Sequence, residues 1–276
     1  MQEYVSHRLA VFSIAGCFLL AAGCKEPQAQ ARQTNAHVSP SSLSCSESLE
    51  KYPRQVVLFI LDRSLSLRRG TRDQWDEIRA EASRLLRRVA PATRVFVRFI
   101  SGQSYPDEEQ VLSAVIPEES LPLQCPPFDP RCLMAEQRRK ALLHCVDDAR
   151  ERLAVAVENL TPVRANHTDV WGAVAAASDV LSAYPQSQRV IVIYSDLIDT
   201  VGTTLPSQLP GLAQTQVIVR LVKNGNPKEV AQRLSTFSER LATWGAAVQT
   251  LQPDGPIDSA IFIQPSITGS LLTTAK

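Results

Sequence analysis

An excess of charge of either sign is missing from this chain: 29 Lys and Arg stand against 28 Asp and Glu in 276 residues, a net of +1. With no basic field to gather phosphates, nucleic acid is not an expected partner. Histidine is scarce, and His7, His37, His144 and His167 are scattered, which argues against a His-based zinc site. With 11 Gly and 18 Pro the composition is neither collagen-like nor low-complexity. No Gly-Lys phosphate loop occurs, and Gly102-Gln103-Ser104-Tyr105-Pro106 lacks the closing glycine of a hydrolase elbow. The apolar run Leu9 to Ala22 has 14 residues, short of the roughly 20 that a membrane-spanning helix needs. What is present is a 44% hydrophobic chain, enough for one ordinary core.

That apolar run suits the middle of a secretory signal, with Arg8 before it and Lys25, Glu26, Pro27 and Gln28 after it. It closes on Leu20-Ala21-Ala22-Gly23-Cys24, which resembles the lipobox of bacterial lipoproteins. The resemblance implies cleavage of residues 1–23 and acylation of Cys24. The alternative Ile14-Ala15-Gly16-Cys17 would leave Phe18 to Ala22 on the mature protein, and an ordinary cleaved signal is the plainer reading. Lys25 is not the Asp associated with inner-membrane retention, so the resemblance implies a lipid anchor in the outer membrane of a diderm bacterium, facing the periplasm. Residues 24–50 are rich in Gln, Ala, Ser and Pro without helical or strand period, and read as a flexible tether. A stretch of that kind reaches about 25 Å.

Residues 51–252 read as one domain. Val56 to Leu61 is a continuous, largely β-branched run ending on Asp62, the pattern of a strand buried on both faces. Thr71 to Gln74 forms a capping box before Trp75, Ile78, Ala82, Leu85, Leu86 and Val89 at helical spacing. Strands are expected at Arg94–Ile100, Val111–Ile116, Arg189–Tyr194, Gln216–Val222 and Ala246–Leu251, the second an edge hairpin partner of the first. Helices are expected at Ala135–Leu160 and Asp169–Ala183, and after Asn226-Pro227, with Val230, Leu234, Phe237 and Leu241 on one face. The alternation predicts an α/β fold: a doubly wound, mainly parallel sheet with helices on both faces. Right-handed crossovers bring the loops after Leu61 and Tyr194 to one edge, where such sheets bind ligands.

At that edge Asp62, Ser64 and Ser66 alternate in one turn, Asn166-His167-Thr168-Asp169 opens a helix, and Asp196 ends the second buried strand. Hydroxyls offer neutral oxygens to a hard cation, and carboxylates can hold its waters from behind. The sequence resembles the von Willebrand factor type A domain, whose metal-ion-dependent adhesion site pairs an Asp-x-Ser-x-Ser turn with a distant Thr and a distant Asp. Asp62, Ser64, Ser66, Thr168 and Asp196 fill all five positions, over roughly residues 54–252. The resemblance implies Mg2+ (or Mn2+ or Ca2+) and a protein partner that supplies an acidic side chain as the last ligand. Two positions depart from the family: Leu197 stands where Gly usually follows the Asp, and His167 where a small residue commonly precedes the Thr. Arg68, Arg69 and His167 are candidate partner contacts. The alternative is a metal-independent structural component of an envelope, conjugation or secretion assembly.

An enzyme reading is weaker. A haloacid-dehalogenase-type phosphatase would need a carboxylate at the position of Ser64 for acid–base work, although Asp196 and Asp199 could mimic its late acidic pair. Cys45, Cys125, Cys132 and Cys145 are an even set in an exported chain, pointing to two disulfides with three connectivities. The expected pairs are Cys125 with Cys132 across the Pro-rich insert 117–134, and Cys45 with Cys145. A zinc site from Cys125, Cys132, His144 and Cys145 is disfavoured, because adjacent helical residues point apart. Residues 253–276 read as a loosely ordered tail that carries the short apolar run Ala260 to Ile263.

Overall fold

The computed structural model describes residues 53–64, 74–100, 102, 104, 112–117, 130–161, 167–202, 204–222 and 225–251, with backbone only for 130–133. Signal, tether, Ser66, Arg68, Arg69, most of the insert and the tail lie outside the described residues, as do Cys24, Cys45 and Cys125.

The sheet is built on β1 (Gln55–Asp62). All eight of its residues are buried, and their alternation sends Val57, Phe59 and Leu61 into one apolar cluster and Val56, Leu58 and Ile60 into another. A strand that buries both faces needs a covering layer on each side, and both layers are present. Around β1 lie β2 (Thr93–Ile100), β3 (Leu112–Ile116), β4 (Gln188–Ser195), β5 (Gln216–Leu221) and β6 (Ala247–Leu251), in the order β3-β2-β1-β4-β5-β6. Only β3 runs antiparallel, paired with β2 from Thr93↔Ile116 to Val97↔Leu112.

One face is covered by α1 (Gln74–Leu86) and α2 (Pro130–Glu158), through Trp75, Ile78, Leu86, Val146, Leu153 and Val157. A bidentate Arg220–Glu81 pair, at 3.0 and 2.5 Å, ties β5 to α1 on this side. The opposite face is covered by α3 (Val170–Ser182) and α4 (Pro227–Thr243). The buried side of α3 carries the small residues Gly172, Ala173, Ala176, Ala177 and Ser178, and Gly211 N–H reaches Ser178 Oγ at 3.1 Å. On α4, Phe237 and Leu241 are buried and Val230 and Leu234 partly so, the stripe that the helical spacing predicts. Asn226 caps α4 by accepting from Lys228 N–H.

The doubly wound, mainly parallel α/β architecture is therefore as expected, and strand and helix bounds differ by one or two residues at most places. The exception is α2, which begins at Pro130 rather than Ala135. A proline is tolerated in the first turn of a helix because its missing N–H would have no intrahelical acceptor there. The helix therefore absorbs residues 130–134 of the expected insert, Cys132 among them. Cys145, on α2, is buried and disulfide-bonded. This removes it from any zinc ligand set, while its neighbour His144 faces solvent beside Asp148. Among the described residues, no helix is long and apolar enough to cross a membrane.

Candidate functional site

Parallel pairing in register brings the carboxyl ends of β1 and β4 together, with Leu61 opposite Tyr194. Asp62 and Ser195 come next on the two strands, and the Ser195 hydroxyl donates to Asp62 Oδ2 at 2.7 Å. The backbone N–H of Ser64 donates to the other oxygen, Oδ1, at 2.9 Å. Asp196, one residue beyond β4, is as fully buried as Asp62. Its Oδ1 accepts from Ile198 N–H at 3.0 Å.

Two carboxylates shut away from water beside each other disfavour double ionisation. Burial, and then the charge of Asp196, raise the pKa of Asp62 from the ordinary 3.8 to about 6. Hydrogen bonds from the Ser64 hydroxyl and N–H and from Ser195 offset part of the rise. The cation nearest in sequence does not relieve it. Arg63 is directed to Thr161 O and to the face of the Phe99 ring.

Thr168 is brought to the same edge by the start of α3, and it too is buried. It is bound reciprocally to the loop after β4: Thr168 N–H donates to Thr200 Oγ1 at 2.7 Å, and Thr200 N–H to Thr168 O at 2.9 Å. Asp169 caps α3 through Gly172 N–H at 2.8 Å and also accepts from Ser104 N–H, beyond β2, at 3.0 Å. Gly172 is required there, since a Cβ would sit 2.0 Å from Asp169 Oδ2. Asp199 accepts from Val170 N–H at 2.8 Å and Gly202 N–H at 2.9 Å. Three loops from distant parts of the chain are thus joined by side chain to backbone bonds.

Of the expected site residues, Asp62, Ser64, Thr168 and Asp196 lie at this edge, all buried. His167 is exposed beside them. Ser66, Arg68 and Arg69 fall outside the described residues. Sequence reasoning passed over Ser195 and Thr200, and it weighed Asp199 only as an enzyme's acid. The one sequence signal for Ser195 is its place as the last strand residue before Asp196. The side chains of Asp62, Ser64, Thr168 and Asp196 offer only oxygen donors, a set that suits Mg2+, Mn2+ or Ca2+ better than a soft metal. Among the described residues no cluster of three or more His, Cys, Asp or Glu stands at metal-binding spacing.

Leu197 has φ of +58°, in the left-handed region that glycine enters freely. The leucine compensates by burying its side chain in the α3–α4 core, leaving 7% exposed, while its N–H donates to Ser195 Oγ at 2.9 Å. Its side chain also lines a cavity of about 440 Å³ with Val170, Trp171, Arg233 and Phe237.

No protein-family model matches the chain, and no curated protein matches it. Among solved structures it is similar to a von Willebrand factor type A protein from Catenulispora acidiphila, at 16% identity over 76% of this chain and 40% of that one, TM-score 0.42. It is similar to an aerotolerance-related membrane protein from Bacteroides fragilis, at 12% identity over 76% of this chain and 95% of that one, TM-score 0.42. A third is the pilus adhesin SpaC from Lactobacillus rhamnosus GG, at 8% identity over 77% of this chain and 29% of that one, TM-score 0.44. The chain therefore spans less than half the length of the first and third.

Two outcomes are expected. A left-handed residue costs about 1–2 kcal/mol, whereas emptying a buried leucine site costs roughly 2–5 kcal/mol. Leu197→Gly should therefore destabilise the protein, by about 2 kcal/mol in urea unfolding; a raised midpoint would show that strain outweighs burial. For Asp62, a folded pKa above the unfolded one means that the folded state holds the proton more tightly between about pH 4 and 6. Its contribution to stability is greatest at acid pH and is lost as pH rises through about 6. The stability of metal-free Asp62→Asn relative to wild type should therefore rise by roughly 2–3 kcal/mol between about pH 4 and pH 7. Parallel stability curves for the two proteins would contradict this account.

Proposed function

We propose that this protein is a binding module, not an enzyme, and that it grips an acidic protein partner through a divalent cation at the carboxyl edge of its sheet. The observation that carries this reading is the pair of wholly buried carboxylates, Asp62 and Asp196, beside hydroxyl oxygens, where burial and then the charge of Asp196 lift the Asp62 pKa to about 6. A dication is the group that such a pair favours. Ser64, Ser66 and Thr168 would hold Mg2+ (or Mn2+ or Ca2+), with Asp62 and Asp196 orienting them and its waters from behind. When bound, the ion would supply positive charge with an open position, which a carboxylate of the partner fills. The Ser64 hydroxyl suits this role, since it donates its proton to Asp62 and its oxygen carries the lone pairs that a cation needs.

The hydrolase alternative loses ground on geometry. Asp199, its second late acid, has one oxygen accepting from Val170 N–H and the other from Gly202 N–H. Ser64, where that chemistry needs a carboxylate, cannot take a proton at neutral pH. The metal-independent scaffold is the better second reading, because the Thr168–Thr200 and Asp169–Ser104 bonds join the loops with protein groups alone.

The test is capture from an envelope extract by the purified protein with Mg2+, with chelator, and with Ser64→Ala plus Ser66→Ala. A partner should be retained by the wild type with Mg2+ and lost in the other two lanes. Equal retention in all three would overturn the metal and leave the scaffold.

We further propose that Cys24 carries a lipid anchor holding the module to the outer membrane, facing the periplasm. It rests on the Leu20–Cys24 sequence alone. Cys24→Ala should shift the protein from the membrane to the soluble fraction, and continued sedimentation with membranes would refute the anchor.

A further inference from the structure

The two hydroxyl-bearing loops of the proposed cation site come from distant parts of the chain, and one side chain ties the Ser64 turn to the end of α2. Arg63, the residue after Asp62, donates from Nε at 3.1 Å and from Nη2 at 2.5 Å to the carbonyl oxygen of Thr161. Its guanidinium lies 4.6 Å from the centroid of the Phe99 ring, and its backbone N–H donates to Ile100 O at 3.4 Å. Thr161 follows the end of α2 and begins the connection that delivers Thr168 seven residues later.

Arg63 does not act alone at that helix end. Arg79 Nη1 donates to Glu158 O at 2.7 Å and to Leu160 O at 2.9 Å, and Trp75 Nε1 reaches Leu160 O at 3.4 Å. The last carbonyls of a helix lack intrahelical partners and carry its negative end, so cationic donors are favoured there. Arg79 and Trp75 belong to α1, and their bonds hold α1 to α2. Arg63 belongs to the Asp62–Ser64 turn itself, so its bonds hold that turn to Thr161, just beyond α2. The far end of the connection is held by Thr168 and Thr200.

We propose that Arg63 is a positioning residue: by binding Thr161 O and lying on the Phe99 ring it sets the spacing of the Ser64 turn from the end of α2 and from β2, and so the geometry that a divalent cation meets there. The inference rests on the cation reading of this edge. It makes a prediction opposite in sign to a purely electrostatic role. A cation one residue from Asp62 repels Mg2+, so if charge were all that mattered, removing it would tighten Mg2+ binding. If spacing matters more, removing it weakens Mg2+ binding. Supporting groups of this kind typically change metal affinity by about 10–100-fold.

The experiment is Mg2+ titration calorimetry on the full chain as wild type, Arg63→Gln and Arg63→Lys, with thermal unfolding of each in chelator and in Mg2+. Arg63→Gln should weaken Mg2+ binding by roughly tenfold or more, and Arg63→Lys by less, since it keeps one donor. The gain in melting temperature on adding Mg2+ should shrink in the same order. A merely structural role would lower the melting temperature equally in chelator and in Mg2+ and leave the affinity alone; that result overturns the proposal, as does tighter binding by Arg63→Gln. Should Arg63→Gln fail to fold, Arg63→Lys decides: unchanged affinity overturns the proposal and weaker affinity supports it. A wild type that takes up no Mg2+ sinks the cation reading and this inference with it, whereas a wild type that binds beside an unaffected Arg63→Gln sinks the inference alone.

Discussion

Burial of β1 on both faces is the constraint on which the rest of this structure depends. Six consecutive apolar residues, Val56 to Leu61, are each wholly inaccessible. At roughly 1.5–3 kcal/mol for each large side chain, this run is a large contribution to the burial that holds the fold. Their alternation requires a helix layer on each face, and parallel neighbours on both sides require crossovers that deliver those helices. The strand that is buried most completely also ends on a carboxylate. Packing that secures Leu61 therefore draws Asp62 out of water with it.

From that placement the character of the edge follows. Asp62 is desolvated and Asp196 is desolvated beside it; burial is the larger cost to the charged Asp62, and repulsion from Asp196 adds to it. Ser195 and Ser64 distribute hydrogen bonds over both oxygens of Asp62, enough to orient the carboxylate without cancelling the cost of burial. An arrangement that costs stability in the absence of a ligand and uses hard oxygen donors is physically poised to accept positive charge. Leu197 adds a second local cost, a left-handed backbone, which its own side chain offsets by burial in the α3–α4 core. Strain gathered within a few residues of a charged pair is a common property of sites that bind something.

The loops are held by a set of bonds that differs on the two sides of the edge. On the α3 side, Thr168, Asp169 and Asp199 exchange bonds with Thr200, Ser104, Val170 and Gly202. On the α1–α2 side, Arg63, Trp75 and Arg79 gather the carbonyls at the end of α2. In the first case the cohesion comes from carboxylates and hydroxyls capping backbone N–H groups; in the second, from cationic and indole donors capping backbone C=O groups. Both exploit unsatisfied groups at helix ends, one at an N-terminus and one at a C-terminus.

Much of this was legible in the sequence. Period-two and period-3.6 patterns mark strands and helices locally, so the doubly wound α/β plan, the antiparallel β3 and the cap at Asn226 could be read from neighbouring residues alone. Asp62, Thr168 and Asp196 were legible too, because strand-terminal and helix-initial positions are themselves local features. The start of α2 at Pro130 was hidden, since a Pro-rich stretch resembles a loop until the helix behind it is seen to extend into it. Ser195 beside Asp62, Arg63 on Thr161 and Thr200 on Thr168 join residues 133, 98 and 32 positions apart. Nothing in local periodicity encodes such pairs. They exist because strand register and helix packing set which backbone ends meet, and a hydrogen bond reaches only a few ångströms. The amino-acid sequence determined which oxygen-bearing side chains would arrive at the edge; the tertiary structure decided how deeply they are buried, which of them touch, and thus how strongly the edge favours a positive charge.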